Sequence, residues 1–284
     1  MKTPITYYGG KQKLISSILP YIPPHKIYVE PFLGGGAIFF AKKKSKKEII
    51  NDLNAEMINF FMVAQNHTEE LANEITSIPY SRRFYMFNNF AYNHSEFFSP
   101  VKRAAILWNC TNSSFLAKIG AGWAFENEGK PTAENSFLVA QKRWQDPFFF
   151  QEINERLKDT IIHNQDAIKT IIAYDSPSTF HYIDPPYINT HQGHYKGYTE
   201  TDFRNLLDTL ANIQGTFMLS GFPSSQLLHH AQRFNWPVWN INQQKSSSES
   251  KTERKIETIT INYTPEEFFP GSIPGQELHT SKLF

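Results

Sequence analysis

The segment Asp184-Pro185-Pro186-Tyr187 constrains this chain more than any other. It directly follows an apolar stretch, residues 180–183, whose pattern predicts a buried strand. Because both prolines lack an N–H donor and have a fixed φ, the chain can neither continue the strand nor enter a regular helix. A carboxylate, a free carbonyl and an aromatic ring are therefore held side by side at a strand end. These groups suit the amino group of a flat base, with the acid and a carbonyl accepting its protons and the ring stacking on it.

A glycine-rich turn lies earlier in the chain. A short apolar strand at residues 27–29 leads into Glu30, and Phe32 precedes three glycines, of which Gly34 and Gly36 are the outer two. An apolar stretch of helical length follows. Glycines at a strand-to-helix turn let a ligand approach the backbone closely. The spacing is not that of the dinucleotide fingerprint, so a pyrophosphate site is a poor interpretation.

An acid follows the next predicted strand, residues 48–51. This acid, Asp52, lies at about the distance from the glycine turn that a ribose-binding acid occupies, and a carboxylate there can accept both ribose hydroxyls. The alternative is that Asp52 or Asn54 only caps the helix that begins near Ala55. We favour ribose binding because the glycine turn comes before it.

The N-terminal segment Tyr7-Tyr8-Gly9-Gly10-Lys11 precedes a predicted helix at residues 12–19. An aromatic residue, two glycines and a lysine in this order let Lys11 point back into a cleft and pair with a carboxylate.

Taken in order, these four segments resemble the Dam-type family of DNA N6-adenine methyltransferases, in the alpha class with its DPPY motif. Residues 164–166 and the final strand, residues 254–263, extend the resemblance along most of the chain. It implies S-adenosylmethionine as the cofactor and methyl transfer to N6 of adenine in double-stranded DNA. The family commonly has Trp-Ala where this chain has Tyr7-Tyr8, and the aromatic character is kept at Tyr7.

The resemblance also implies roles for single residues. Lys11 would meet the methionine carboxylate, and Asp52 would take the ribose hydroxyls. Asp166 would accept from the amino group of the cofactor's adenine. The implied cofactor set is Tyr7, Lys11, Glu30, Phe32, Gly34, Gly36, Asp52, Asp166 and Asp184, and the implied catalytic set is Asp184, Pro185, Pro186 and Tyr187.

The target amine needs activation, because its nitrogen lone pair is delocalised into the ring. Asp184 and a carbonyl of the motif would hold its protons so that the nitrogen can attack a sulfonium methyl, a task of positioning and charge stabilisation. An adenine inside a duplex cannot reach such a pocket, so the base must be flipped out at a cost of a few kcal/mol. We expect the loop at residues 188–199 to close over it, with Tyr195 and Tyr198 contacting DNA.

Strand and helix patterns alternate at both ends of the chain, which predicts an α/β fold with ligands at the carboxyl ends of the strands. We expect the Rossmann-like mixed sheet of S-adenosylmethionine-dependent methyltransferases. Two strands near residues 238–242 and 257–263 would form an antiparallel hairpin around a polar loop, residues 243–252. The predicted domains are residues 1–65 and 147–284 for the catalytic domain and residues 66–146 for an inserted, mainly helical target-recognition domain.

The predicted insertion is rich in aromatics, arginines and amides, which read base edges and hold phosphates when they are not core. Most of its aromatics are expected in a core, and the loop at residues 111–141 is the candidate for reading DNA. This stretch lacks the Asn-Gly-rich pattern of the family members that read GATC, so the recognition sequence is expected to differ. The candidate DNA contacts are Asn112, Lys118, Lys142 and Arg143.

Composition limits the remaining possibilities. A chain of 284 residues with 40% hydrophobic content can bury a sizeable core, and a formal net charge of +1 restricts any nucleic-acid surface to a local patch. The basic run at residues 42–47 is predicted to be a solvated helix end. The single cysteine, Cys110, excludes an intramolecular disulfide and fits a reducing compartment. No cysteine and histidine cluster has metal-ligand spacing, and no apolar stretch approaches the roughly 20 residues of a membrane span. We expect a cytoplasmic protein without a metal, a membrane association or an obligate protein partner.

Two other functions remain open at this point. One is a methyltransferase that acts on cytosine N4, on RNA or on a protein amide through the same turn. The other is a non-catalytic DNA-binding relic, against which the intact Lys11, Asp52 and Asp184 argue.

Overall fold

The computed structural model describes residues 1–124, 133–187, 197–241 and 257–265. In chain order the strands are β1 (Ile27–Glu30), β2 (Lys47–Asn51), β3 (Ile161–His163), β4 (Thr179–Ile183), β5 (Thr216–Gly221), β6 (Val238–Ile241) and β7 (Glu257–Ile261). The helices are α1 (Ile15–Ile18), α2 (Ala37–Ala41), α3 (Ala55–Asn66), α4 (Thr68–Thr76), α5 (Arg82–Tyr92), α6 (Pro100–Ser113), α7 (Ala133–Arg143), α8 (Pro147–Leu157), α9 (Ala167–Tyr174), α10 (Glu200–Leu210) and α11 (Ser225–Phe234).

The chain divides into two compact units. The first comprises Met1–Gly10, Gly34–Ala41 and Asp52–Asn164, and the second comprises Lys11–Leu33, Lys42–Asn51 and Gln165–Phe284. The predicted insertion, residues 66–146, lies wholly in the first unit, together with other parts of the chain. Its domain boundaries stay a prediction.

The second unit is built on a mixed sheet. Its strands run in the order β2-β1-β4-β5-β7-β6, and β1, β2, β4 and β5 are parallel to their neighbours in that set. β7 is antiparallel to both β5 and β6. The predicted α/β class and the closing antiparallel pair are confirmed, while the polar loop at residues 243–252 lies outside the described residues.

The central position of β4 explains its sequence. β4 pairs with β1 on one side and β5 on the other, and each of its five residues is buried. A parallel strand covered on both faces is mostly apolar, as Phe180, Tyr182 and Ile183 are, whereas Thr179 and His181 are buried polar residues. Ile183 and Leu219 pack with Leu206, Leu207 and Leu227 of α10 and α11. Burial of such a side chain contributes about 1.5–3 kcal/mol.

The first unit is mainly helical, and its core is aromatic. Trp108, Phe137 and Trp144 are fully buried, and the ring of Trp108 meets that of Phe137 edge-on at 5.3 Å between centroids. The amide of Gln141 donates to the carbonyl oxygens of Ile75 and Ile78, at 2.9 and 2.7 Å. The expectation that most aromatics of residues 66–146 are core is wrong for the described residues. Tyr85, Trp108, Phe137 and Trp144 are buried, but the other aromatics are half-buried or, like Phe87, Phe90, Phe97 and Phe115, exposed.

Two further local predictions were wrong. The predicted helix at residues 12–19 is a 3-10 turn at Lys11–Leu14, then α1, then a 3-10 turn at Leu19–Tyr21. Pro20 has no N–H to donate, and serines favour a regular helix little, so only one α-helical turn forms.

The second correction concerns Lys42, which was predicted at a solvated helix end. Helix α2 ends at Ala41, and Lys42 is buried with its Nζ 2.6 Å from Oε1 of Glu48. An ammonium can be buried when a carboxylate pairs with it, so Lys42 belongs to the interior of the second unit.

Candidate active site

The turn after β4 carries the predicted catalytic residues. Asp184 follows the last residue of β4, and Pro185 and Pro186 are buried behind it. Since β1 and β5 run parallel to β4, Asp184 lies at the carboxyl edge of the sheet. This is the edge at which open α/β sheets bind their ligands.

Lys11 lies at the centre of a buried polar cluster in the second unit. Its Nζ is 2.8 Å from Oδ1 of Asp184, 3.0 Å from Oε1 of Glu257 and 2.7 Å from the hydroxyl of Tyr187. An ammonium has three N–H donors, and these three acceptors use all of them. The predicted contact of Lys11 with a methionine carboxylate would require it to exchange one of these partners, and it stays a prediction.

Charge and burial act against each other in this cluster. Burial would lower the pKa of Lys11, but Asp184, Tyr187 and Glu257 together hold that pKa well above its usual value. Burial raises the pKa of Asp184 to about 6, while Lys11 opposes the rise and Glu257 adds to it. The side chain of Asp184 is 21% exposed. Within the described part of the chain its Oδ2 accepts no hydrogen bond. The carboxylate thus has one oxygen on Lys11 and one for a further donor.

Tyr187 connects this cluster to an aromatic pair. Its hydroxyl donates to Oε1 of Glu257 at 2.9 Å, and its ring lies 4.2 Å from that of Phe222, centroid to centroid, at an angle of 38°. Burial, together with the charge of Asp184, raises the pKa of Tyr187 far above its ordinary value. The phenol therefore stays protonated and acts as a donor.

A cavity of about 260 Å³ opens beside the turn. Its walls include Pro185, Pro186 and Tyr187 on one side and Phe222 and Gln226 on another. Cavities for drug-sized ligands are about 300–1,000 Å³, so this one suits a smaller flat group such as a single base.

Three residues of this region were missed by the sequence analysis: Ser220, Phe222 and Glu257. Ser220 and Phe222 flank the end of β5, and the strand-end rule that selected Asp184 applies to them equally. Glu257 opens β7, which is antiparallel to β5, so its first residue lies at the edge where β5 ends. An acid at the start of a predicted closing strand was the signal available.

The glycine turn in the first unit is organised by Asp52. Oδ2 of Asp52 accepts from the N–H of Gly34 and Oδ1 accepts from the N–H of Asn54, each at 2.8 Å. The side chain of Asn54, not that of Asp52, caps α3. Asp52 is 1% exposed, so in this structure its carboxylate shapes the turn.

The turn itself requires glycine. Gly34 and Gly36 have φ of +48° and +68°, a region that L side chains rarely adopt. A Cβ on Gly34 would lie 3.1 Å from ring atoms of Tyr7, and one on Gly35 would lie 2.9 Å from Cβ of Tyr7. The structure thus brings together Tyr7, Gly34 and Asp52, three of the predicted cofactor residues.

Comparison with known proteins identifies the chain. The family described as D12 class N6 adenine-specific DNA methyltransferase matches residues 7–240. The chain belongs to this family. It is therefore an adenine-N6 DNA methyltransferase, as the resemblance predicted.

Individual relatives are distant. The type II methyltransferase M.MjaIII of Methanocaldococcus jannaschii is 26% identical, over 71% of this chain and 74% of its own. The type II methyltransferase M1.LlaDCHI of Lactococcus lactis subsp. cremoris is 25% identical, over 90% and 93%. A DNA adenine methylase of Escherichia coli is 21% identical over 64% of each chain. A solved rRNA methyltransferase, aviRa from Streptomyces viridochromogenes, superposes with a TM-score of 0.35 at 12% identity, covering 87% of this chain and 81% of its own. A score this low establishes no shared fold.

The remaining predicted cofactor residues lie in the second unit. Glu30 is buried, and its Oε2 accepts from the hydroxyl of Tyr28 at 2.6 Å. Phe32 is half-buried against the ring of Tyr198. Asp166 is exposed and caps α9 by accepting from the N–H of Lys169 at 3.1 Å. These positions leave their roles toward a cofactor untested.

Asn51 organises the same strand ends and was also missed. Its Nδ2 donates to the carbonyl oxygens of Pro31 and Gln165, and its Oδ1 accepts from the N–H of Gln165. It thus ties the segments that follow β1 and precede α9 to the end of β2.

The predicted DNA contacts in the first unit differ in their accessibility. Lys142 is exposed, and Lys118 is half-buried with its Nζ 6.0 Å from the centre of the Tyr8 ring. Asn112 donates to the carbonyl of Trp108 and accepts from the hydroxyl of Thr6.

Of the three remaining candidates, Arg143 and Tyr198 are half-buried. Arg143 is half-buried, with its guanidinium 5.5 Å from the centre of the Phe149 ring and a hydrogen bond to the carbonyl of Thr3. Tyr198 is half-buried in the second unit, where burial raises its pKa. Tyr195 lies outside the described residues.

Proposed function

We propose that this chain transfers the methyl group of S-adenosylmethionine to N6 of an adenine in double-stranded DNA at the turn formed by Asp184, Pro185, Pro186 and Tyr187. The observation that carries the proposal is the carboxylate of Asp184. One of its oxygens is held by Lys11 at the carboxyl edge of the sheet, and the other is without a hydrogen bond in the described part of the chain.

The residues near the strand ends fit the polar groups of this cofactor. In the second unit, Asp166 has an exposed carboxylate that can accept from an amino group. In the first unit, the turn at Gly34 and Gly36 leaves the main chain open to a ligand, because these residues have no side chain. Asp52 would take the ribose hydroxyls, because its carboxylate lies at the glycine turn, where a ribose-binding acid is expected. Leu53, which follows it, is 70% exposed and offers apolar surface to a ring. When bound, the cofactor supplies a methyl group on a positively charged sulfur.

The protein's own part in the reaction is to hold the amine. Asp184 accepts one N–H of the target amino group through Oδ2, and the carbonyl oxygen of Asp184 or Pro185 accepts the other. Holding both protons localises the nitrogen lone pair toward the methyl group. The negative charge of Asp184 also stabilises the positive charge that develops on the nitrogen.

The cavity beside Tyr187 is the proposed place of the target base. The rings of Tyr187 and Phe222 offer flat apolar surface, and stacking of a base on an aromatic side chain contributes about 1–3 kcal/mol. Such capture requires the base to leave the duplex, at a cost of a few kcal/mol.

The test is a methylation assay with labelled S-adenosylmethionine and DNA of complex sequence, followed by mass analysis of the digested DNA. We expect N6-methyladenine from the parent. Asp184→Asn should lose nearly all activity while its affinity for the cofactor stays close to that of the parent, because the lost charge acts on the amine. The control is Asp208→Asn. Asp208 lies on α10 and pairs with His230 of α11, so this variant should remain active.

Two results would contradict the proposal. Retention of more than a few per cent of activity by Asp184→Asn would remove Asp184 from its role. Recovery of N4-methylcytosine, or labelling of RNA alone, would select the alternative substrates; membership of an adenine-specific family favours adenine.

The described part of the chain contains no helix that is long and apolar enough to cross a bilayer. We place the enzyme in the cytoplasm, where DNA and S-adenosylmethionine meet. The buried, unoxidised Cys110 is compatible with that compartment.

A further inference from the structure

Glu257 reaches the candidate active site because of the sheet topology. β7 pairs with β5 in antiparallel fashion, with Thr258 opposite Gly221 at the end of β5. Glu257 is one residue nearer the start of β7 and therefore lies at the carboxyl edge of β4 and β5. An antiparallel strand in this place brings the first residue of β7 to the edge at which the parallel strands end.

The carboxylate of Glu257 gathers three donors. Its Oε1 is 3.0 Å from Nζ of Lys11 and accepts from the hydroxyls of Tyr187 and Ser220, each at 2.9 Å. The side chain is 4% exposed. A buried carboxylate is costly unless it is paired and hydrogen-bonded, and these contacts meet that condition.

Glu257 shares its cation with Asp184. Lys11 is the ammonium that contacts both carboxylates, so the three groups together carry one net negative charge when both acids are ionised. The two acids therefore share Lys11. A change in the charge or the side-chain length of residue 257 therefore alters the strength of the ion pair between Lys11 and Oδ1 of Asp184.

We propose that Glu257 is a positioning residue for methyl transfer, which holds Lys11 and the hydroxyl of Tyr187 so that Asp184 presents its other oxygen to the target amine. This inference rests on the proposed function of Asp184. Glu257 itself touches neither the amine nor the methyl group.

The charged and titratable groups around Asp184 set the sign of the expected effect. Burial is the main cause that raises the pKa of Asp184 to about 6, the ammonium of Lys11 lowers that pKa, and the charge of Glu257 raises it. The phenols of Tyr182 and Tyr187 face the same charges and have strongly raised pKa values, chiefly through burial. Glu30 acts on Tyr182 from β1. Removal of the negative charge of Glu257 must therefore lower the pKa of Asp184.

The experiment measures the single-turnover rate of adenine methylation against pH, with enzyme in excess over DNA and with saturating S-adenosylmethionine. The rate of the parent should fall as the pH drops through about 6, because protonated Asp184 no longer carries the negative charge that stabilises the reacting amine. The fall of the rate at low pH is the acid limb of the profile. Glu257→Gln keeps the size of the side chain and an acceptor oxygen, and its acid limb should lie at a pH lower by at least about half a unit.

A matched control is Glu48→Gln. Glu48 is also a buried carboxylate paired with a lysine, Lys42, at 2.6 Å, but it lies near the start of β2 instead of at a strand end. Its variant should lose stability without moving the acid limb. An equal limb in the parent, Glu257→Gln and Glu48→Gln would show that Glu257 is only structural and would overturn the inference.

Glu257→Asp tests the length of the side chain separately from its charge. It also provides a second variant if Glu257→Gln does not fold. The shorter side chain keeps the negative charge, so the acid limb should stay near that of the parent. The plateau rate should fall by about tenfold or more, because the carboxylate no longer spans Lys11 and Tyr187. A parent-like plateau would refute the positioning role. Absence of N6-methyladenine from the parent at every pH would instead refute the proposed function.

Discussion

Asp184 lies between a cation that lowers its pKa and a burial that raises it, and burial prevails. The balance matters because only the ionised acid carries the negative charge that stabilises the positive charge developing on the amine. Lys11 has the same kind of conflict with the opposite outcome, since burial is the largest single influence on its pKa but Asp184, Tyr187 and Glu257 together outweigh it. The result at the residue scale is an ionised lysine beside an acid that titrates close to physiological pH.

Lys11→Met should move the acid limb of the single-turnover rate to a pH above 6. The substitution removes the positive charge that lowers the pKa of Asp184, so the acid becomes protonated at a higher pH. The direction is opposite to that expected for Glu257→Gln. Rates are compared at cofactor concentrations shown to be saturating for each variant, so a weaker cofactor site cannot imitate the shift. An unmoved or lowered limb would mean that Lys11 does not govern the ionisation of Asp184.

At the scale of elements, the two turns that follow β1 and β4 owe their geometry to different residues. Proline removes donors and fixes φ after β4, while glycine permits positive φ after β1. The glycine turn also packs tightly, because the ring of Tyr7 lies directly against Gly34 and Gly35. The carboxylate of Asp52 then fastens the turn to the start of α3.

Gly35→Ala should destabilise the first unit through crowding. Its new Cβ would lie 2.9 Å from Cβ of Tyr7, which cannot move without its main chain, and overpacking of this kind costs about 1–3 kcal/mol. Gly120→Ala is the control, because its Cβ would meet nothing within 4 Å and only its φ of +78° is strained. Denaturant unfolding should show a larger loss of unfolding free energy for Gly35→Ala than for Gly120→Ala. Titration calorimetry should show that Gly35→Ala binds S-adenosylmethionine more weakly than the parent does. If Gly35→Ala kept the stability and the cofactor affinity of the parent, the turn would have space for a Cβ at this position.

For the whole molecule, a net charge of +1 leaves no general attraction to DNA, so binding depends on local groups. The structure separates neighbouring candidates. Lys142 is exposed at the end of α7, whereas Arg143 is turned toward Phe149 and Thr3. Of these two residues, Lys142 has the side chain that a phosphate can reach without a rearrangement.

We predict methylation in a sequence context other than GATC, or in a relaxed context, because residues 113–144 lack the pattern of GATC-reading relatives. Lys142→Ala should weaken DNA binding uniformly across sequences and reduce the salt slope by about one, as expected of a phosphate contact. Arg143→Ala should instead lower the stability of the first unit. Sequencing that detects modified bases in cells expressing each variant shows the sites directly. Methylation confined to GATC would refute the predicted context, and an altered site preference in Lys142→Ala would make Lys142 a base contact.

Much of the fold and the turn at residues 184–187 followed from the sequence, because they depend on local rules. Two prolines end a strand, and a strand with large side chains such as Phe180, Tyr182 and Ile183 is expected to be covered on both faces. Each such segment carries its own signal within a few residues. The order of these segments was enough to indicate the family.

The tertiary structure alone decided which of these segments meet. Lys11 and Tyr187 are 176 residues apart. Their hydrogen bond exists because the 3-10 turn that begins at Lys11 packs at the carboxyl edge of the sheet. Glu257 joins them only because β7 runs antiparallel to β5. The contact of Lys42 with the ring of Tyr28 and the hydrogen bond of Arg143 to the carbonyl of Thr3 likewise depend on partners distant along the chain. Local sequence fixes what a residue can do, but pairing across the sheet determines which charges share a dry interior, and there a charge acts most strongly on its neighbours.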